Sequence, residues 1–173
     1  MGYSAGDVII YGNKGVCRID EIKSMSFARE EPKEYYLISP MFTRSSLVMY
    51  VPLDNELQCA EIKPVLSRDE AMALIESLPF NNCDWVEDRN ERKEKFATIL
   101  NSGSREEIAG LIHLINKQRA ALTEAGKKLN AQDARALDEA VTRINNELAI
   151  ALDVEPSDVS DIIRDKTGIN LSA

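Results

Sequence analysis

The residues best suited to chemistry in this sequence are one aromatic ring and the cations that follow it. The segment NNCDWVEDRNERKEKF, residues 81–96, holds the only Trp of the chain, Trp85, directly ahead of a dense run of charges. If a helix begins with Asp84 as its cap, about 100° of rotation per residue puts Trp85, Arg89 and Arg92 on one side. Arginine binds phosphate with paired hydrogen bonds, and an aromatic ring stacks on a base or wedges into a base step. The pattern therefore suits a surface that contacts nucleic acid, although it is weakly specific.

A structural interpretation of the same residues is the commoner outcome for such a pattern. A lone Trp is mostly buried, either in a core or as a plug between two domains. Further along the same predicted stripe, Phe96, Ile99 and Leu100 are apolar and should pack into a helical bundle. Charges sorted to one side of a helix are often only its solvated face. The arrangement of residues around the predicted helix does not by itself establish contact with nucleic acid.

Catalysis has few residues to work with. His113 is the only His, and Cys17, Cys59 and Cys83 form no CxxC pair. A zinc site or a Cys–His nucleophile pair is hard to build from this set, and an odd number of spread cysteines suits reduced thiols. We therefore expect no catalytic residues, no metal and no cofactor, so the chain is not predicted to be an enzyme. Paired carboxylates remain an alternative that sequence leaves open.

The charge of the chain limits how it could meet DNA. The formal net charge is −8, with 44% hydrophobic and 29% charged residues. Proteins that bind DNA on their own are usually basic, because affinity comes mostly from neutralised phosphates. The acidic balance argues against strong autonomous binding, but not against a local basic surface that a partner delivers. No apolar run reaches the ~18 residues of a membrane span, and the first residues have no secretory pattern, so we expect a cytoplasmic protein.

The first part of the chain has a β pattern. Short runs rich in Val, Ile and Tyr predict strands at residues 7–11, 15–22, 33–39 and 47–52, and the polar segment 23–32 is predicted to be a hairpin loop. Four short strands favour a small, strongly bent sheet or an SH3-like barrel.

From Ser67 onward the period becomes helical. Capping boxes are predicted at Ser67 with Glu70 and at Ser104 with Glu107, and Pro156 suits a first helical turn. The predicted helical segments are 67–78, 84–103, 104–122, 130–152 and 156–168. The sequence thus predicts an α+β protein of two domains, a small β domain at residues 1–64 and an all-α helical bundle at 65–173.

Several motifs, in order, resemble the CarD/CdnL family of bacterial transcription regulators over nearly the whole chain. The N-terminal part contributes GDVIIYGNKGVCRIDEI, KEYYLI and VMYVPLDN. The C-terminal part contributes DWVEDRNERKEKF, LNSGSREEIAGLI, GKKLNAQDARALDEA and ELAIAL. The resemblance implies a Tudor-like N-terminal domain that binds a lobe of the RNA polymerase β subunit, a module shared with the transcription-repair coupling factor. It implies a helical domain that reaches the upstream edge of the promoter bubble.

The resemblance also implies site residues. In the family a Trp wedges into the minor groove and slows bubble collapse, and Trp85 matches it. The expected DNA-binding residues are Trp85, Arg89, Arg92, Lys93, Lys95, Lys127 and Lys128, although the last two are also explained as a solvated pair at a helix end. The expected polymerase-binding residues are Met25, Phe27, Arg44, Met49, Tyr50 and Val51. Some members carry Arg where this chain has Met25 and Tyr50, with Arg29 and Arg44 nearby.

The expected function is a transcription regulator that docks on the polymerase and stabilises the open promoter complex. The segment SLVMYVP would offer a strand edge for β-augmentation by the polymerase. The alternative is a docking module without DNA contact that competes with the repair coupling factor. The expected partners are the RNA polymerase β subunit and promoter DNA, the latter bound weakly without the polymerase, and no membrane. We expect a monomer, with pairing of edge strands between two copies as the alternative.

Overall fold

The structure is a computed structural model that describes residues 2–27, 31–43, 46–80 and 83–169. Contacts divide the chain into two compact units, Met1–Val65 and Leu66–Ala173. Each unit buries its own cluster of apolar side chains. No helix among the described residues is long and apolar enough to cross a membrane.

The N-terminal unit is an antiparallel sheet. Its strands are β1 (Val8–Tyr11), β2 (Val16–Met25), β3 (Lys33–Pro40), β4 (Met49–Pro52) and β5 (Ile62–Pro64), with a short helix α1 (Glu56–Ala60) before β5. The spatial order is β4-β3-β2-β1-β5. The four predicted strands are confirmed. The prediction of a hairpin loop over 23–32 is wrong at its start, because β2 continues to Met25.

The sheet buries one face and bends along β2. Ile9, Ile19 and Ile38 are fully buried on that face. The pairing of β2 with β3 shifts register between Ile19 and Glu21, and such a bulge bends its strand and increases its twist. Among the described residues no pairing joins β4 to β5, so the sheet is open and β4 pairs on one side only.

The C-terminal unit is a bundle of helices. They are α2 (Arg68–Ser77), α3 (Arg89–Ser102), α4 (Arg105–Glu124), α5 (Ala131–Leu152) and α6 (Pro156–Thr167). The predicted capping boxes at Ser67 and Ser104 are confirmed, and Pro156 occupies the first turn of α6. The α+β layout expected from the sequence is confirmed.

Helix α5 is the centre of this bundle, because α2, α3, α4 and α6 all pack against it. The stripe predicted from its sequence is buried, and it consists of Leu137, Val141, Ile144, Leu148 and Leu152. The apolar end of the predicted Trp stripe also packs inside, since Phe96 and Leu100 of α3 are buried. The bundle thus holds α3 and the first turns of α5 side by side.

Candidate nucleic-acid interface and docking surface

Trp85 lies in a non-helical segment, ahead of α3 and not on it. The helix begins at Arg89, and its cap is Asp88, whose carboxylate accepts hydrogen bonds from the backbone N–H of Asn90 and Glu91, both at 2.9 Å. The prediction that Asp84 starts the helix is therefore wrong. Residues 84–87 form a short arm that leads into α3, and Trp85 is part of it.

The Arg92 side chain holds this arm against the bundle. Its Nη1 donates to the backbone carbonyls of Val86 at 2.7 Å and Glu87 at 3.0 Å. In a continuous helix, those carbonyls would accept from residues four positions further on. Here they accept from Arg92, and the N–H groups of Asn90 and Glu91 donate to the Asp88 cap.

The rest of the Arg92 guanidinium pairs with a buried carboxylate. Its Nε donates to both oxygens of Asp133 at 3.2 Å, and its Nη2 lies 3.1 Å from Asp133 Oδ2. The side chains of Arg92 and Asp133 are 7% and 2% exposed. The expectation that Arg92 contacts DNA therefore needs correction, because this guanidinium binds inside the helical unit.

Lys95 holds the other end of the arm. Its Nζ donates to the carbonyl of Asp84 at 2.8 Å, and the residue is half-buried. A second cation predicted to bind phosphate thus contacts the protein backbone beside Trp85. Arg92 and Lys95 together fasten the residues on both sides of Trp85.

The Trp85 ring is packed on one side and accessible in part. The guanidinium carbon of Arg92 lies 4.5 Å from the ring centroid, within reach of a cation–π contact. The ring of Phe96 meets it edge-on at a centroid distance of 6.1 Å. Trp85 is half-buried against the core of the helical unit. The predicted neighbours Arg92 and Phe96 are correct, although a different backbone brings them together.

Three exposed cations of this unit line a groove between α3 and α5. Arg89, which the predicted stripe includes, and Lys93, which the resemblance implies, are both exposed on α3, and Arg135 of α5 is exposed and lines the same groove. The groove has a volume of about 480 Å³, with Phe96 and Ala97 among its apolar residues. Arg135 is absent from the sequence expectations, because nothing local connects it with α3.

Lys127 and Lys128 are exposed in the loop that leads into α5. That loop ends at Asn130, which caps the helix by accepting from the N–H of Gln132 at 3.0 Å and of Asp133 at 2.9 Å. The two lysines therefore precede the end of α5 that carries Asp133.

The outer face of the β sheet carries an exposed aromatic cluster. Tyr50 pairs with Leu37 and Tyr35 pairs with Pro52, so Tyr50 and Tyr35 lie on the same face, opposite the core. The ring of Phe27 meets both tyrosines edge-on, at centroid distances of 5.4 Å to Tyr35 and 5.9 Å to Tyr50. Phe27 is 45% exposed and Tyr50 is 46% exposed. The cluster of Phe27, Tyr35 and Tyr50 includes a residue of β4, the strand with one paired side.

The remaining expected docking residues differ in accessibility. Met25 and Met49 are half-buried. Val51 is 1% exposed, so its side chain belongs to the sheet core and only its backbone could meet a partner. Arg44 and Arg29 lie outside the described residues. Tyr35 is not among the expected residues. Because successive side chains of a strand point to opposite faces, Tyr35 lies opposite the buried Tyr36, and this alternation could have predicted its position.

A small bent antiparallel sheet with an exposed aromatic cluster beside a strand edge has the features of a docking surface for another protein. Residues 3–65 match the family model described as CarD-like/TRCF RID domain. This match confirms the resemblance to CarD-like proteins over the N-terminal unit. A domain of this family implies interaction with the RNA polymerase β subunit. No curated protein matches the chain.

Proposed function

We propose that the chain is a transcription regulator that docks on the RNA polymerase β subunit and stabilises the open promoter complex with Trp85. The domain match over residues 3–65 supports the docking step. The observation that carries the DNA step is the fastened arm, which holds a large, partly buried aromatic residue at the edge of the bundle core. A ring fixed in this way suits insertion beside a base step, because little conformational freedom is lost on binding.

Docking uses the β4 edge and the cluster of Phe27, Tyr35 and Tyr50. Strand addition supplies main-chain hydrogen bonds, and exposed aromatic rings supply the buried area that interfaces depend on. Tyr and Phe are also enriched in interface cores. The position where some CarD-like relatives carry Arg is occupied here by Tyr50, so the contact shifts from charge toward apolar area.

The DNA contact is local and weak. In the α3–α5 groove, three cations, Arg89, Lys93 and Arg135, outnumber one carboxylate, Glu139, on a chain whose net charge is −8. Docking raises the effective concentration of this surface at the promoter, so modest affinity is sufficient. A differential contact of about 1–2 kcal/mol with the open state shifts the equilibrium roughly 5- to 30-fold.

A docking module without DNA contact is the second candidate. The net charge and the engagement of Arg92 and Lys95 inside the helical unit favour it. Such a protein would compete with the repair coupling factor for the polymerase. This second hypothesis predicts that Trp85→Ala has no effect on promoter melting.

The test is the lifetime of open promoter complexes formed with the cognate polymerase. Trp85→Ala should remove most of the lifetime gained with the wild-type chain, while polymerase binding persists. Val159→Ala is the matched control, because Val159 is buried on α6 and its truncation also weakens the bundle. An unchanged lifetime in Trp85→Ala, with polymerase still bound, would favour the docking module.

A further inference from the structure

The buried ion pair beside Trp85 makes more contacts than an ion pair needs. Arg92 reaches two carbonyls, both oxygens of Asp133 and the Trp85 ring. Asp133 is held in turn by Asn130, whose Nδ2 donates to Asp133 Oδ2 at 2.6 Å. The contacts therefore run from the start of α5, through Arg92, to the arm that carries the ring.

Stability alone does not explain this arrangement. Replacing a buried ion pair with apolar side chains is often neutral or stabilising, because desolvation offsets the attraction. An apolar pair, however, could not donate to the carbonyls of Val86 and Glu87. The planar fork of arginine can bind a carboxylate along one edge and backbone carbonyls with its other nitrogen, while its face lies over a ring.

We propose that Arg92 is a positioning residue for Trp85, oriented by Asp133 and Asn130, with Lys95 as a second fastening at Asp84. This assignment rests on the proposed function, since it gives the ring the orientation that the promoter meets. Arg92 and Lys95 then act on DNA through Trp85 and not through phosphate. The cations that meet phosphate are the exposed ones of the α3–α5 groove.

The single Trp allows a direct test that needs neither DNA nor polymerase. Because Trp85 is the only Trp, its fluorescence quenching by acrylamide reports the accessibility of the arm alone. The variant Arg92→Met/Asp133→Asn leaves no unpaired buried charge, and the amide oxygen introduced on α5 would still accept from Asn130. We expect its quenching constant to rise about two-fold or more, since local opening exposes the ring.

The matched control is Arg105→Met/Glu147→Gln. Arg105 Nε donates to Glu147 Oε1 at 2.6 Å, so this variant also removes an ion pair of the same bundle, with Glu147 buried. Its quenching constant should stay at the wild-type value. Two results would overturn the assignment. One is an equal rise of the quenching constant in both double variants. The other is an unchanged quenching constant in an Arg92→Met/Asp133→Asn variant that circular dichroism shows to be folded.

Lys95→Met provides a milder change. Lys95 contributes one hydrogen bond to Asp84 at the surface, so this variant should fold even if the double variant does not. It should raise quenching by a smaller factor than the double variant. An unchanged constant would remove Lys95 from the positioning set.

The open-complex lifetime separates this inference from the proposed function. If Trp85→Ala has no effect on lifetime, the proposed function fails, and quenching still decides whether Arg92 positions the ring. If Trp85→Ala shortens the lifetime, the Arg92 double variant should shorten it too, although Arg89, Lys93 and Arg135 remain. If the Arg92 double variant raises the quenching constant but leaves the open-complex lifetime unchanged, the orientation of the Trp85 ring does not matter for the promoter. That result would overturn the inference.

Discussion

The aromatic cluster of Phe27, Tyr35 and Tyr50 makes a quantitative prediction for polymerase binding. Phe27 contacts both tyrosines and is 45% exposed. An aromatic side chain offers about 150–250 Å² of area, so roughly 70–110 Å² of Phe27 remains to be covered by a partner. At about 25 cal/mol per Å², full coverage would contribute about 2–3 kcal/mol.

Part of that free energy is offset when side chains are ordered at an interface. We therefore expect Phe27→Ala and Tyr50→Ala each to weaken binding by about 1–2 kcal/mol, a factor of roughly 5 to 30 in Kd. The assay is a titration of the full-length chain against immobilised polymerase, with β-lobe fragment as competitor.

The control for this series is Phe80→Ala. Phe80 is 79% exposed and belongs to the helical unit, so its variant loses a surface aromatic without touching the sheet. Its Kd should match the wild type. If the folded variants at Phe27 and Tyr50 both bind within about two-fold of the wild type, the inference from exposure and edge position is wrong, because two-fold corresponds to only ~0.4 kcal/mol.

Two further predictions concern the thiol of the sheet core and the cations of the groove. Burial raises the pKa of the Cys17 thiol to about 11, so at pH 8 almost no thiolate is present, and iodoacetamide should label Cys17 only after unfolding. Ready labelling of Cys17 at pH 8 in the folded chain would contradict the burial. Lys93→Gln combined with Arg135→Gln should reduce the slope of log affinity against log salt for duplex DNA by about 1.8, since each phosphate contact contributes about 0.9. Lys166→Gln on α6 should leave the slope unchanged, and an equal loss there would mean that only overall charge matters.

Local sequence signals predicted the elements whose causes are local. The boxes at Ser67 and Ser104 place helix starts correctly, because the cap and its partner are three residues apart in the chain. The start of α3 was mispredicted, since Asp84 and Asp88 are both good caps and a cap contributes only about 1 kcal/mol. The segment before Asp88 is held by Arg92 in a non-helical conformation. The partner of Arg92, Asp133, is 41 residues away, so no local pattern reveals this contact.

The accessibility of the predicted docking residues likewise depends on contacts that are distant in sequence. Tyr50 and Val51 are neighbours in sequence, yet one is 46% exposed and the other 1%. The register between β3 and β4 sets which of them faces the core, because successive side chains point to opposite faces. A strand can be recognised from its composition, but its exposed face follows from the pairing.

The burial of Arg92 changes how a mutational scan of the basic residues should be interpreted. A scan of lifetimes alone would score Arg92 and Lys95 as DNA contacts, because loss of either releases the arm that carries Trp85. Salt dependence separates the two roles, since only a cation that neutralises phosphate contributes to the slope. Variants at Arg92 or Lys95 should shorten the lifetime with an unchanged slope, whereas variants at Lys93 or Arg135 should reduce the slope. An acidic chain can thus act on DNA with few phosphate contacts, because part of its positive charge serves to hold a ring in place.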